Sequence, residues 1–250
     1  MGTSTLSKNQ LKLIKKLKLK KYREQENLFL AEGEKVIETL IKANCTPVHL
    51  IYDVQRYQPS SKYNVTDLLE TDEYYFDQIT QLKSPPGFLG VFEMPQPKFA
   101  SLAGKTLVLD GIKDPGNLGT IVREAAWFGV DQLILCNDCV DPYNAKVVQS
   151  SMGSIAEIPI HQFSKEKVLE LVKGQGIDAF VADLTGEAPS QLASRKQAIL
   201  IIGSESHGPS DWTAIQAQAL YIKSAKGSPT ESLNAAVASG ILLYEWSKAV

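Results

Sequence analysis

The chain has 250 residues, 44% of them hydrophobic, which suffices for one large core or two modest ones. Its 26 Lys and Arg stand against 28 Asp and Glu, and the resulting net charge of −2 excludes a global cationic field that would draw in nucleic acid. The three cysteines, Cys45, Cys136 and Cys139, argue against a disulfide framework and suit a reducing cytoplasm, and no apolar run approaches a membrane span.

The first stretch departs from that neutral average. Before Glu24 stand Lys8, Lys12, Lys15, Lys16, Lys18, Lys20, Lys21 and Arg23, with no acid among them. Leu11, Ile14 and Leu17 lie at near-helical spacing, so residues 9–21 read as an amphipathic helix carrying these cations. A basic end on a neutral chain points to a localised anionic partner. For any single lysine, a solvated surface is an equal reading. The lysines alternate with leucines, unlike the basic-then-apolar order of a signal peptide. A helix over 32–41, a strand over 48–52 and further mixed α and β up to Phe92 complete this part. Pro95 and Pro97 then withhold backbone donors and stiffen a linker.

Beyond the linker the rhythm becomes regular. Strands are expected at 106–110, 131–136, 177–183, 198–203 and, briefly, 220–222. Helices are expected at 118–128, 145–152, 165–173, 210–217 and 233–248. Apolar strands separated by helices indicate a parallel sheet. Leu233, Val237, Ile241 and Tyr244 recur at helical spacing and read as core.

Three polar loops punctuated by glycine leave these strands, and in α/β proteins such loops gather where ligands bind. The first, Gly111 to Gly119, fits neither a G-x-G-x-x-G turn nor a P-loop, because Asn117-Leu118 stands where Lys-Ser/Thr would hold phosphate and magnesium. That disfavours a nucleotide-dependent oxidoreductase or hydrolase. Asp114 or Asn117 can also serve simply to start the following helix. Arg123 follows within two helical turns, and its fork of donors suits a phosphate or carboxylate. The second loop, Gly203-Ser204-Glu205-Ser206-His207-Gly208, ends an apolar strand with a carboxylate able to grip a hydroxyl. No G-x-S-x-G elbow surrounds Ser206. The third, Glu231-Ser232-Leu233-Asn234, opens the last helix, where small polar residues act as caps or hold a ligand. Cys136-Asn-Asp-Cys139 is a lone C-x-x-C, and His49, His161 and His207 are isolated, so no metal is expected.

Taken in this order, the three loops closely resemble the motifs of the SpoU/TrmH class of SPOUT RNA 2′-O-ribose methyltransferases. Leu109–Ala126 covers the first motif, with Asn117, Gly119 and Arg123 on its polar positions. Ile202–Gly208 covers the second and Glu231–Val237 the third. Asp141–Gly153 is similar to the segment between the first two. Ser7–Asn9 and Phe29–Lys35 resemble the family's small RNA-binding domain, of ribosomal-protein-like α/β fold. The resemblance implies an RNA-binding domain over 1–94, a linker over 95–103 and a parallel-sheet SPOUT domain over 104–250 with a C-terminal trefoil knot. It implies S-adenosyl-L-methionine as methyl donor, held by Gly203, Ser204, Glu205, Gly208, Ile222, Ser232 and Leu233. It implies a homodimer with catalytic groups near the subunit boundary. Lys223–Thr230 departs from the family by being longer and by lacking a proline near Ile222.

Methyl transfer from a sulfonium to a ribose hydroxyl is an in-line displacement that needs alignment and removal of a proton, not a metal. The expected catalytic set is Arg123, Asn117, Glu205, Ser232 and Asn234. Lys8, Lys12, Lys15, Lys16, Lys20, Lys21 and Arg23 are the expected contacts to rRNA or tRNA phosphates. A non-catalytic RNA-binding factor on the same fold is the alternative.

Overall fold

The computed structural model describes residues 4–59 and 68–249. They form two compact units. One comprises the chain up to Gln96 together with Asp141–Glu157, and the other comprises Pro97–Val140 with the chain from Ile158 onward.

The first unit begins with β1 (Ser4–Thr5), α1 (Lys8–Leu17) and α2 (Lys20–Glu26). Ser7 starts α1 through a capping box: its hydroxyl accepts from the Gln10 amide, and the Gln10 side chain accepts from the Ser7 amide. The single helix expected over 9–21 is thus two helices, parted where Leu19 turns extended. There follow β2 (Leu28–Glu32), α3 (Glu34–Lys42), β3 (Pro47–Asp53), β4 (Leu68–Thr71), α4 (Glu73–Ile79) and β5 (Phe88–Glu93). The sheet order is β1-β4-β3-β5-β2, with β5 antiparallel to both of its neighbours. Ile14 and Leu17 of α1 pack on Leu30, Ile51, Phe76 and Leu89 over one face.

Asp141–Glu157, expected within the second domain, packs into this first unit. The Tyr143 ring lies 5.1 Å from that of Phe29. Gly153, at φ +90°, abuts α3 so closely that a Cβ would sit 2.7 Å from Cβ of Thr39. Arg23 joins the segment covalently distant from it: the guanidinium pairs with Asp141, both side chains being nearly inaccessible.

The second unit contains β6 (Lys105–Asp110), α5 (Pro115–Trp127) and β7 (Gln132–Cys136). After the excursion through α6 (Ala145–Ser150), it continues with β8 (Ile160–Gln162), α7 (Lys165–Gln175), β9 (Ala179–Glu187), β10 (Ala198–Gly203), β11 (Gln218–Leu220) and α8 (Ala235–Ser247). The strands are all parallel in the order β11-β9-β10-β6-β7-β8. The parallel sheet is as expected. From β6 the chain winds outward to β7 and β8, then returns to place β10 on the other side of β6. Gly203 is registered beside Asp110. Carboxyl ends of adjacent strands whose connections diverge leave a crevice.

Two expectations fail here. The helix over 210–217 is only a 3₁₀ turn, Thr213–Ile215, because the Trp212 indole nitrogen is bound to Asp110 and pins the chain to the sheet end. The stripe read as core, Leu233 just before α8 and three residues on it, is exposed: Leu233 by 43%, Val237 by 50%, Ile241 by 38% and Tyr244 by 54%. Ala235, Ala236, Ser239, Leu242, Leu243 and Trp246 face inward instead. The helix is apolar on both sides, so periodicity does not reveal which side is buried.

Candidate active site

A cavity of about 750 Å³ opens at the carboxyl ends of β10, β9 and β11. That volume suits a small-molecule ligand. Gly203, Ser204, Glu205, Gly208, Ile222, Ser232 and Leu233 all line it. So do Leu184, Leu220 and Tyr221, which the sequence reading did not single out.

The loop after β10 is fixed at both ends. The Gly208 amide donates to the Ser204 carbonyl at 2.8 Å, closing a tight turn, and Gly208 takes φ +66°. A Cβ on Gly203 would overlap the backbone of Gly208 and Pro209, so only glycine allows this closure. Beneath it, Asp110 accepts from the Ser210 amide and hydroxyl, each at 2.7 Å, and from the Trp212 indole at 2.8 Å. Asn137 donates to the other carboxylate oxygen at 2.5 Å. Burial opposes ionisation of Asp110, but the donors from Ser210, Asn137 and Trp212 together hold its carboxyl below the ordinary value. In the sequence Asp110 is only the end of a strand, because its donors Asn137 and Trp212 lie 27 and 102 residues away.

The three loops meet through side chains. Asn117 Nδ2 donates to Glu205 Oε1. Asn234 Nδ2 donates to Asn117 Oδ1 at 3.1 Å. Asn234 also caps α8, its Oδ1 accepting from the Ala236 and Val237 amides at 3.0 and 3.3 Å. The same side chain therefore both caps the helix and bonds Asn117. Asp114 caps α5 by accepting from the Asn117 amide at 2.9 Å, which leaves the Asn117 side chain for the cluster.

Arg123 is not part of this cluster. It is exposed on α5, outside the cavity lining, with no hydrogen bond or ion pair among the described residues. Its neighbour Glu124 is quite different. Burial pushes the Glu124 carboxyl up to about 7, and one of its oxygens has no hydrogen-bond partner among the described residues. Its other oxygen lies where a Cβ on Gly240 of α8 would approach to 3.0 Å. Sequence gave no signal for Glu124, since acidic residues on helices are usually solvated.

On the first unit, Lys8, Lys12, Lys16 and Lys21 are exposed and have no carboxylate partner among the described residues. Lys15 donates to Gln78, and Lys20 lies 3.6 Å from Glu24. Lys18 is tied to the Thr80 carbonyl at 2.8 Å, and burial lowers its pKa. Arg23 must be withdrawn from the phosphate-contacting set. It is buried, bonded to the Leu17 and Lys18 carbonyls at 2.9 and 3.0 Å and paired with Asp141, so its charge is spent within the fold.

Cys136 and Cys139 both donate to the Leu109 carbonyl, and burial raises both thiols, Cys139 to about 11. Among the described residues no group of three or more His, Cys, Asp or Glu side chains is placed to hold a metal ion.

The SpoU rRNA methylase family profile matches residues 104–244, and that of an MRM3-like substrate-binding domain matches residues 8–90. A 23S rRNA (guanosine(2553)-2′-O)-methyltransferase of Bacillus subtilis is 32% identical over 240 residues, covering 95% of this chain and 96% of its own. A Porphyromonas gingivalis structure described as an RNA methyltransferase of the TrmH family superposes with a TM-score of 0.84 at 32% identity, covering 97% and 98% of the two chains. The methyltransferase AviRb of Streptomyces viridochromogenes, solved with its cofactor AdoMet, gives 0.81 at 25% identity over 96% and 97%.

Proposed function

This chain belongs to the SpoU rRNA methylase family, as an S-adenosylmethionine-dependent RNA ribose 2′-O-methyltransferase, and from that premise we propose that its substrate is ribosomal RNA. It acts as a homodimer in the cytoplasm, with its C-terminal segment threaded as a trefoil knot. The observation that carries the site assignment is Asn117, which bonds both Glu205 and Asn234 and so unites three loops far apart in sequence.

The cofactor fits the cavity by chemistry as well as size. Gly203 lets the loop close on the backbone of Gly208 and Pro209, and Leu220, Ile222 and Leu233 supply apolar wall beside the polar atoms of Ser204 and Ser232. When bound, S-adenosylmethionine supplies a methyl group already activated on a sulfonium. The protein must therefore align the ribose oxygen and assist its deprotonation. A guanidinium is a poor proton acceptor. Arg123 instead holds the target phosphate and favours the developing alkoxide, while Asn117, Glu205, Ser232 and Asn234 orient ribose and cofactor.

The homodimer is supported by an exposed apolar face. Trp127 of α5 is 83% exposed, and the α8 stripe Val237, Ile241 and Tyr244 is uncovered as well. α5 and α8 pack on each other, and large apolar side chains left exposed on such neighbouring helices suit a subunit interface. Arg123 precedes Trp127 by one helical turn, so that face brings Arg123 to the subunit boundary. The long return from β11 to α8, which seats Asn234 against Asn117, is in keeping with a threaded C-terminus.

The test is twofold. Calorimetry with S-adenosylhomocysteine should give saturable binding near one ligand per chain. Mapping of 2′-O-methyl groups in ribosomal RNA with and without the protein should reveal one dependent site. A protein that binds the cofactor product but leaves every RNA unchanged is the non-catalytic factor instead. Ile241→Lys should convert the dimer to monomer in sedimentation, and a wild-type monomer would remove the dimer.

A further inference from the structure

The lysines of α1 do not simply coat a solvated helix. Together with the start of α2 they rim a groove of about 430 Å³ whose floor is apolar: Leu11, Leu19 and the Tyr22 ring, edged by Lys8, Lys12 and Lys16. Leu19 is the anomaly. It is the N-cap residue of α2, where Ser, Thr, Asp or Asn would satisfy a free amide, yet it makes no side-chain cap and is 59% exposed. A polar residue there would be better for the helix and for solubility, so an exposed leucine at this place marks a contact rather than a structural need. The Tyr22 ring already attracts cations, with Lys16 Nζ 5.3 Å and Lys21 Nζ 6.0 Å from its centre.

Duplex phosphates would use the lysines and leave the floor idle. An acidic peptide would do the same. A single-stranded nucleotide uses both, with its base against aromatic and aliphatic surface and its flanking phosphates on the ammonium groups. We propose that this groove, on the first unit, receives one unpaired nucleotide of the RNA substrate. The inference rests on the RNA-substrate reading above and adds that the first unit selects single-stranded or extruded RNA.

The test uses the full chain and two fluorescein-labelled probes, single-stranded octa-adenylate and a blunt RNA duplex, followed by anisotropy. Tyr22→Ala should weaken octa-adenylate binding about ten-fold, the scale of one base–aromatic stack, and Leu19→Ser, which also restores a polar cap, should weaken it by a similar factor through lost apolar contact. Duplex affinity and the salt slope on either probe should stay unchanged. Lys12→Gln with Lys16→Gln should lower the salt slope on both probes. Thermal unfolding of Leu19→Ser at or above the parent temperature rules out misfolding as the cause of its loss. Equal losses on both probes, or none on either, would overturn the groove while leaving the RNA reading intact. Displacement of octa-adenylate by polyglutamate as readily as by unlabelled RNA would overturn it in favour of an acidic peptide. Unaltered protein that binds neither probe and methylates no RNA would remove both readings together.

Discussion

Around the cavity, Asn117 serves Glu205 with its amide nitrogen and Asn234 with its oxygen, so no member of the set changes without unpairing another. On α1 the situation is reversed: Lys8, Lys12 and Lys16 stand free of one another and of any carboxylate among the described residues. The first region works by fixed geometry, where displacement by an ångström is costly. On the proposed reading the lysines act by summed charge, where loss is graded and salt-dependent. Substitutions around the cavity should therefore act as steps, and substitutions of the α1 lysines as slopes.

The largest step belongs to Arg123. Arg123→Ala should cut single-turnover methyl transfer by roughly 10²- to 10³-fold, as expected for loss of a charge aimed at a developing oxyanion. Calorimetric affinity for S-adenosylhomocysteine should be retained, because Arg123 does not line the cavity. Lysine there should rescue poorly, since it keeps the charge and loses the fork. A near-normal rate in Arg123→Ala would place the phosphate of the target nucleotide elsewhere.

Next comes Gly203→Ala. Its Cβ would overlap the backbone of Gly208 and Pro209 and force the loop open. Affinity for S-adenosylhomocysteine should fall about 10²-fold, the scale of a misplaced binding group. Unchanged affinity would mean that the cofactor is not held by this turn.

On the graded side, the triple variant Lys8→Gln, Lys12→Gln, Lys16→Gln should flatten the slope of log affinity against log salt by about 0.7–0.9 per phosphate contact removed. Cofactor binding should not change. Truncation is the wrong perturbation, because Ile14 and Leu17 belong to the core and Arg23 is locked to Asp141. A collapse of binding from any single lysine substitution would erase the contrast between the two regions.

The smallest effect concerns Glu124, whose carboxyl is raised by burial to about 7 from an ordinary 4.5. The folded state thus prefers the protonated acid. Its contribution to stability is complete below about pH 4.5 and is lost as pH rises through about 7. Glu124→Gln should flatten the fall in unfolding temperature across that window, and an unaltered pH profile would show that the acid is solvated.

Much of the cavity was legible because its loops are polar, carry glycine and follow apolar strands, a pattern that local chemistry dictates. Their union through Asn117 was implied only by resemblance, since side-chain pairing across the chain has no periodicity. Two misreadings share a cause. The α8 stripe looked like core because spacing identifies a face and not what covers it. Arg23 looked like one more surface cation because its partner, Asp141, is 118 residues away. The helix expected at 210–217 failed for the same reason, with Trp212 held by Asp110 from another strand end.

The Arg23–Asp141 pair also has a bearing on how the protein is made. Chain up to Gln96 emerges from the ribosome well before Asp141–Glu157, yet that later segment supplies Tyr143 against Phe29, Gly153 against α3 and the only carboxylate paired to the Arg23 guanidinium among the described residues. A buried guanidinium awaiting its counter-ion is strongly unfavourable. Residues up to Gln96 therefore lack part of their own packing until that later segment of the same unit has been synthesised, so the first unit should complete its folding only after Asp141–Glu157 emerges.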